Sequence, residues 1–141
     1  MAEEMLRAKL GKTTWDVMSA GVSTSDGMPA SRNSVAAMSE IGLDLTRHLS
    51  QELTPALIRA ANLIVPMTRG HFADIIDRVP AAREKTLLMG SFLKGGSSDG
   101  DALNIDDPCG GTLGDYRQTR DDILRAITGL VAYLTTKADA F

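Results

Sequence analysis

Apolar residues recur at helical spacing in five stretches of this chain, and three others read as strands, one of them a continuous apolar run. Met1, Met5, Leu6 and Leu10 share one helical face, and Gly11 is placed to end it. Glu3 and Glu4 fall in the first turn, where the helix dipole favours acids, although no Ser, Thr, Asp or Asn stands ahead as a cap. Val35, Met38 and Ile41 predict a second helix over Ala30 to Ile41, closed by Gly42. Thr54-Pro55 opens a short third helix through Ala61, with a capping hydroxyl and a proline at the first position. Thr68 caps a fourth, on which Phe72, Ile75, Ile76 and Val79 form a stripe that Pro80 stops. Leu113 to Leu134 is the closing helix, with Tyr116, Ile123, Leu124, Ile127, Val131 and Leu134 inward. Thr112 and Asp115, three residues on, read as its capping box.

The other three runs predict strands: Trp15 to Val22, Asn62 to Met67, and Lys85 to Met89. Pro66 cannot donate to a ladder, so the second should end there or lie unpaired at that point. Strands alternating with helices predict an α/β fold with a parallel sheet and right-handed crossovers. Ligands in such folds bind beyond the carboxyl ends of the strands. The loops after Gly21, Met67 and Met89 would then share one rim. The third loop, from Gly90 to Gly111, is long and rich in Gly, Ser and Asp, a feature associated with function. It carries Ile105-Asp106-Asp107-Pro108-Cys109-Gly110-Gly111-Thr112. Pro108 biases Asp107 to extended backbone, so this carboxylate is expected to project from the loop. Asp106 reads as a solvated neighbour.

Composition narrows the classes. At 141 residues the chain is expected to be one domain, 1–141, with a single core. A net charge of -3 without a basic block gives no support to nucleic acid as a partner. No apolar run reaches the length of a membrane span, and the first helix is acidic rather than a signal peptide, so a soluble, cytoplasmic protein is expected. A single cysteine excludes an internal disulfide. No Cys and His cluster has metal-ligand spacing, so neither a metal nor a cofactor is expected.

Taken in order, short segments along the chain resemble one family. Met1-Ala2-Glu3-Glu4-Met5-Leu6, Ser19-Ala20-Gly21, Gly42-Leu43-Asp44-Leu45 with His48, Leu53-Thr54, Met67-Thr68, and Asp107-Pro108 with Gly110-Gly111 and Tyr116 are similar to bacterial low-molecular-weight protein tyrosine phosphatases, including protein arginine phosphatases. The resemblance implies a three-layer sandwich with a short parallel sheet, in family strand order 2-1-3-4, flanked by helices. It implies hydrolysis of phosphotyrosine or phosphoarginine in proteins, or of a small phosphomonoester, through a cysteinyl-phosphate. Asp107 would be the general acid that protonates the leaving atom and later activates the hydrolytic water. Pro108 and Cys109 would line the substrate pocket.

The departure from the family lies ahead of the first helix. There the family carries a strand and a phosphate loop with a Cys, five intervening residues, then Arg and Ser. The thiolate attacks phosphorus, while backbone N–H groups and the arginine hold the oxygens. Met1 falls where that loop would end, so strand 1 and the loop are expected to be absent, an N-terminal truncation of the domain. A start codon set too far downstream or a true truncation would each produce it. Cys109 does not substitute for the nucleophile, because the position six residues on is Asp115, which repels phosphate. His48 matches a family histidine expected to be structural and bonded to backbone. Arg69 and His71 read as a solvated first helical turn. Tyr116 reads as packing, with phosphorylation-type regulation left open. Ser23 to Met28 holds small and polar residues where relatives often place a substrate-selecting aromatic, as do relatives acting on phosphoarginine.

The leading expectation is therefore a phosphatase of this family that, as these residues alone, is inactive. The alternative is a non-catalytic binding or regulatory remnant of the fold. A third reading, the arsenate reductase branch, needs further cysteines late in the chain, where Cys109 stands alone. Absence of a central strand would expose unpaired edges, so the 141-residue chain is expected to be poorly stable, rearranged, or joined to a second molecule by a swapped segment. Calorimetry with light scattering checks this; a cooperative, high-temperature melt of a strict monomer contradicts it.

Overall fold

Helices form where the apolar spacing and the capping residues place them. In a computed structural model describing residues 1–93 and 103–138, α1 spans Ala2–Leu10, α2 Arg32–Ser39, α3 Pro55–Ala60, α4 Arg69–Arg78 and α5 Leu113–Lys137. The side-chain oxygens of Ser31, Thr54, Thr68 and Thr112 each accept the backbone N–H three residues on, at Ser34, Leu57, His71 and Asp115. Each cap satisfies one of the donors that a helix N-terminus leaves open. Gly11 closes α1 with a φ of 62°. The second helix is shorter than its apolar pattern: it ends at Ser39, and Gly42, with a φ of 78°, turns the chain away. The part of the third loop over 94–102 lies outside the described residues.

Most of the core is built on α5. Ile123, Ala126, Ile127, Leu130 and Leu134 pack with Met5 of α1, Met38 of α2, Leu45, Met89 and Ile105. The predicted inward positions Leu124 and Val131 are only half-buried, while Ala126 and Leu130 are fully covered. A second cluster joins Ile58 of α3 and Ile75 of α4 to Val79 and Ala82. Gly129 admits the 3-10 turn over Met89–Phe92 against α5, since a Cβ there would lie 2.1 Å from the Phe92 carbonyl oxygen. Tyr116 is buried on α5, which agrees with packing.

The segments predicted as strands are sparsely paired. Among the described residues the pairing consists of isolated bridges: Gly21 with Glu52 and Ile64 with Thr86, both parallel, and Pro29 with Leu49, antiparallel. The strand predicted over Lys85 to Met89 is shorter than expected: Lys85 and Met89 lie in 3-10 turns, Pro80–Lys85 and Met89–Phe92, which leaves only 86–88 between them. The Thr86 hydroxyl donates back to the Ala82 carbonyl at 2.7 Å. Pro66 occupies an acceptor-only position, where its carbonyl takes the Met89 N–H.

Side chains also donate to backbone carbonyls between the helices and at the end of α3. Arg78 donates to Leu53 and Val22, Lys85 to Arg59 and Ala61, and Gln51 to Ser19. Arg120, buried on α5, donates to the Ala37 carbonyl and to Glu40 and Asp121. Arg117 adds bonds to Glu40, which is the C-cap of α2. These bonds, Arg117 foremost and then Arg120, hold the Glu40 carboxyl at about 2, against an ordinary 4.5. A depressed carboxyl pKa stabilises the fold above the unfolded value, and that stability is lost as pH falls through the folded one. Glu40→Gln should therefore lower stability at neutral pH and flatten the acid loss between pH 4.5 and 2, read from urea midpoints across pH. Equal pH dependence in both proteins would contradict the link between α2 and α5.

Candidate active site

The stretch from Leu103 to Thr112 is fixed at both ends. Ile105 is buried in the core, and its N–H donates to the Met67 carbonyl at 2.9 Å. Asp106 is exposed, and its carbonyl receives the Thr119 hydroxyl. Asp107 is exposed too, as its place before proline predicts. Its Oδ1 accepts the Cys109 N–H at 2.9 Å, closing an Asx turn around Pro108. The Gly111 N–H donates to the Pro108 carbonyl at 2.7 Å, and Gly110 turns with a φ of 76°. The capping box then starts α5: Thr112 N–H to Asp115 Oδ2 at 2.8 Å, and Asp115 N–H to Thr112 Oγ1 at 3.2 Å. Pro108 is half-buried and the Cys109 thiol exposed. Asp115 is thus a capping acid six residues beyond Cys109.

A second group gathers at the N-terminus of α1. Glu3, Glu4, Arg7, Ser19, His48 and Gln51 line part of an open cavity of about 470 Å³. The Ser19 hydroxyl donates to Glu3 Oε2 at 2.5 Å. Arg7 bridges Glu3 at 2.7 Å and Glu4 at 3.1 Å, and also reaches the Val17 carbonyl. His48 differs from its expected backbone bond: its Nδ1 lies 3.9 Å from Glu3 Oε2, so the side chain faces a carboxylate. Spacing along the chain does not reveal this meeting, because Glu3 and His48 come from separate elements. Glu3, Glu4 and His48 each offer a ligand atom within 4.8 Å of the others. The Arg7 guanidinium already neutralises both carboxylates, and the group reads as an ion-paired network. Among the described residues, none from the Asp107 loop lines this cavity.

Other candidates take quieter places. Thr68 receives the His71 N–H, and the exposed Arg69 gives its backbone N–H to Asn104 Oδ1 at 2.8 Å. In the 23–28 loop, Asp26 accepts the Glu52 N–H and the Ser25 carbonyl takes the Ser50 hydroxyl, while Met28 is exposed. Asn33, on α2, donates through its amide to the Gly111 carbonyl at 3.3 Å. Neither Asn33 nor Asn104 stands out in the sequence, since a polar residue on a helix or in a loop carries no periodic signal.

Residues 1–140 match the profile of the low molecular weight phosphotyrosine protein phosphatases. The chain belongs to that family. A protein-arginine-phosphatase of Geobacillus stearothermophilus is 35% identical over 122 residues, covering 86% of this chain and 78% of the relative. A probable low molecular weight protein-tyrosine-phosphatase, EpsP, of Ralstonia nicotianae is 28% identical over 131 residues, 93% of this chain and 83% of the relative. The solved structure of the YwlE arginine phosphatase from Geobacillus stearothermophilus superposes with a TM-score of 0.84 at 33% identity, covering 96% of this chain and 84% of that one. Its agreement establishes the α/β fold of the family for this chain, although the paired stretches here are single bridges.

Within the family frame, the glycines after Cys109 hold the acid loop's shape. A Cβ on Gly111 would sit 2.7 Å from Asp115 Oδ2 and 2.8 Å from the Pro108 carbonyl oxygen. Gly111→Ala should therefore break the turn or the capping box and destabilise the chain by about 1–3 kcal/mol, as overpacking does. Urea unfolding measures it; an unchanged midpoint would show that the turn has slack.

Proposed function

We propose that Asp107 is the proton donor of a phosphomonoester hydrolase acting on phosphotyrosine or phosphoarginine in proteins. The carrying observation is its setting: an exposed carboxylate whose Oδ1 is tied by the Cys109 N–H, in a loop anchored by Ile105 and by the capping box of α5. A general acid must be held at one place and still meet substrate and water. In the first step a cysteine thiolate attacks phosphorus and the bond to the leaving oxygen or nitrogen breaks, with the Asp107 proton passing to the departing atom. In the second, Asp107 takes a proton from water as that water attacks the phosphocysteine, releasing phosphate and the thiolate. Pro108 and Cys109 form the wall beside the acid. The segments 15–22, 62–67 and 86–88 belong, on this reading, to the short parallel sheet of family order 2-1-3-4.

Cys109 is not that thiolate. It shares an Asx turn with the acid, and Asp115, at the position an arginine would need, is bound into the helix cap. On this reading neither Cys109 nor its loop supplies the nucleophile or the phosphate cradle. Substrate choice between the two phosphoresidues leans on the small and polar side chains over 23–27 and on the arginine phosphatase relative.

The 141-residue chain alone should give no phosphate-inhibitable hydrolysis of an aryl phosphate or a phosphoarginine peptide. With a family strand and phosphate loop joined ahead of Met1, turnover should appear. Asp107→Asn in that longer chain should lower kcat by about 10²–10⁴-fold, the usual span for a lost general acid. Turnover by the chain alone, or full activity in the Asn variant, would contradict the assignment.

A further inference from the structure

We infer that Asn104 and Asn33 are positioning residues for Asp107, a reading that rests on the proton-donor role proposed above. Neither touches the carboxylate. Each ties the backbone of the acid's loop to a helix that is distant in sequence.

Asn104 acts on the near side. Its Oδ1 accepts the backbone N–H of Arg69, the first residue of α4, at 2.8 Å. The first N–H groups of a helix have no intrahelical acceptor, so an outside oxygen fills a standing need. Thr68 supplies the acceptor for His71 and Asn104 the acceptor for Arg69, so the helix start uses one oxygen from its own cap and one from the acid's loop. The next residue, Ile105, is pinned twice, by its buried side chain and by its N–H to the Met67 carbonyl. Only Asp106 then stands between this anchor and Asp107.

Asn33 acts on the far side. Its amide, half-buried on α2, donates to the Gly111 carbonyl at 3.3 Å, across 78 positions of sequence. Gly111 follows the Pro108 turn and precedes the capping box, so a hold on its carbonyl is a hold on the whole turn. The far-side bond is longer than the near-side one and is the weaker tether. Between the two lie Asp107 and its Asx bond to the Cys109 N–H. An acid that must meet a leaving atom tolerates little displacement, since about 1 Å can cost a hundredfold in rate. The two asparagines restrict an exposed loop in which the side chains of Asp106, Asp107 and Cys109 face water.

The Cys109 amide is a direct reporter, because Asp107 Oδ1 accepts its proton. In ¹⁵N NMR of the 141-residue chain, this amide should shift with the ionisation of Asp107 and exchange slowly with solvent. Asn104→Ala should abolish the pH-dependent shift and raise exchange by about tenfold or more, as a local opening does. Asn104→Asp, which keeps an acceptor for the Arg69 N–H, should restore both. Asn33→Ala should give a smaller change of the same sign. Wild-type behaviour of the Cys109 amide in Asn104→Ala would overturn the near-side tether, and in Asn33→Ala the far-side one. Loss of protection at Ile127 and Leu130 in Asn104→Ala would signal global unfolding. The Asn104→Asp and Asn33→Ala results then decide: an unperturbed Cys109 amide in Asn33→Ala, or an unrestored one in a folded Asn104→Asp, overturns the proposal. These readouts need no turnover. A tethered amide together with an active Asp107→Asn enzyme would remove the acid role and leave the tethers standing.

Discussion

Backbone polar groups without a long ladder to join are the constraint around which this fold is arranged. An N–H or C=O shielded from water and left unpaired costs about as much as a lost hydrogen bond, so the partly covered segment 62–67 in particular needs partners from elsewhere. Here single bridges join the segments, and helices and loops supply the rest. Arg7 of α1 reaches Val17, Arg78 of α4 reaches Val22 and Leu53, and Lys85 closes the end of α3 through Arg59 and Ala61. Long cationic side chains suit the task, because their stems lie along apolar surface while several donors reach outward.

The same device builds the acid's surroundings. Among the described residues of the Asp107 loop, the Ile105 bond to Met67 is joined by turn chemistry and side chains that give the loop its shape. Asp107 bonds the amide two residues on, Asp115 bonds the amide that starts α5, and the two asparagines reach across to α4 and α2. Catalysis by positioning asks for this kind of support: a reactive group in water whose backbone has little freedom.

Local rules written over a few residues were readable in the sequence. The caps at Thr54, Thr68 and Thr112, the proline opening α3 and the glycine closing α1 each formed as their chemistry requires. The ordered segments from Met1-Ala2-Glu3 to Asp107-Pro108 led to the family that the whole-chain match shows. Properties that depend on two distant stretches meeting were not readable. Glu40 at the end of α2 is held by Arg117 and Arg120 of α5, and His48, between α2 and α3, faces Glu3 of α1. Strand runs were visible as apolar stretches, but the extent of their pairing is set by neighbours and by flanking turns. Asn33 and Asn104 were invisible for the same reason: one hydrogen bond to a remote backbone atom leaves no pattern along the chain.

The proton-donor role of Asp107 is tested most directly by the leaving group. In a chain carrying a phosphate loop, hydrolysis rates of aryl phosphates spanning a wide range of phenol pKa should separate wild type from Asp107→Asn. A poor leaving group needs the proton and a good one departs without it, so the deficit of the variant should widen steadily as phenol pKa rises. A deficit of the same size for every phenol would contradict proton donation and leave Asp107 a residue that shapes the loop.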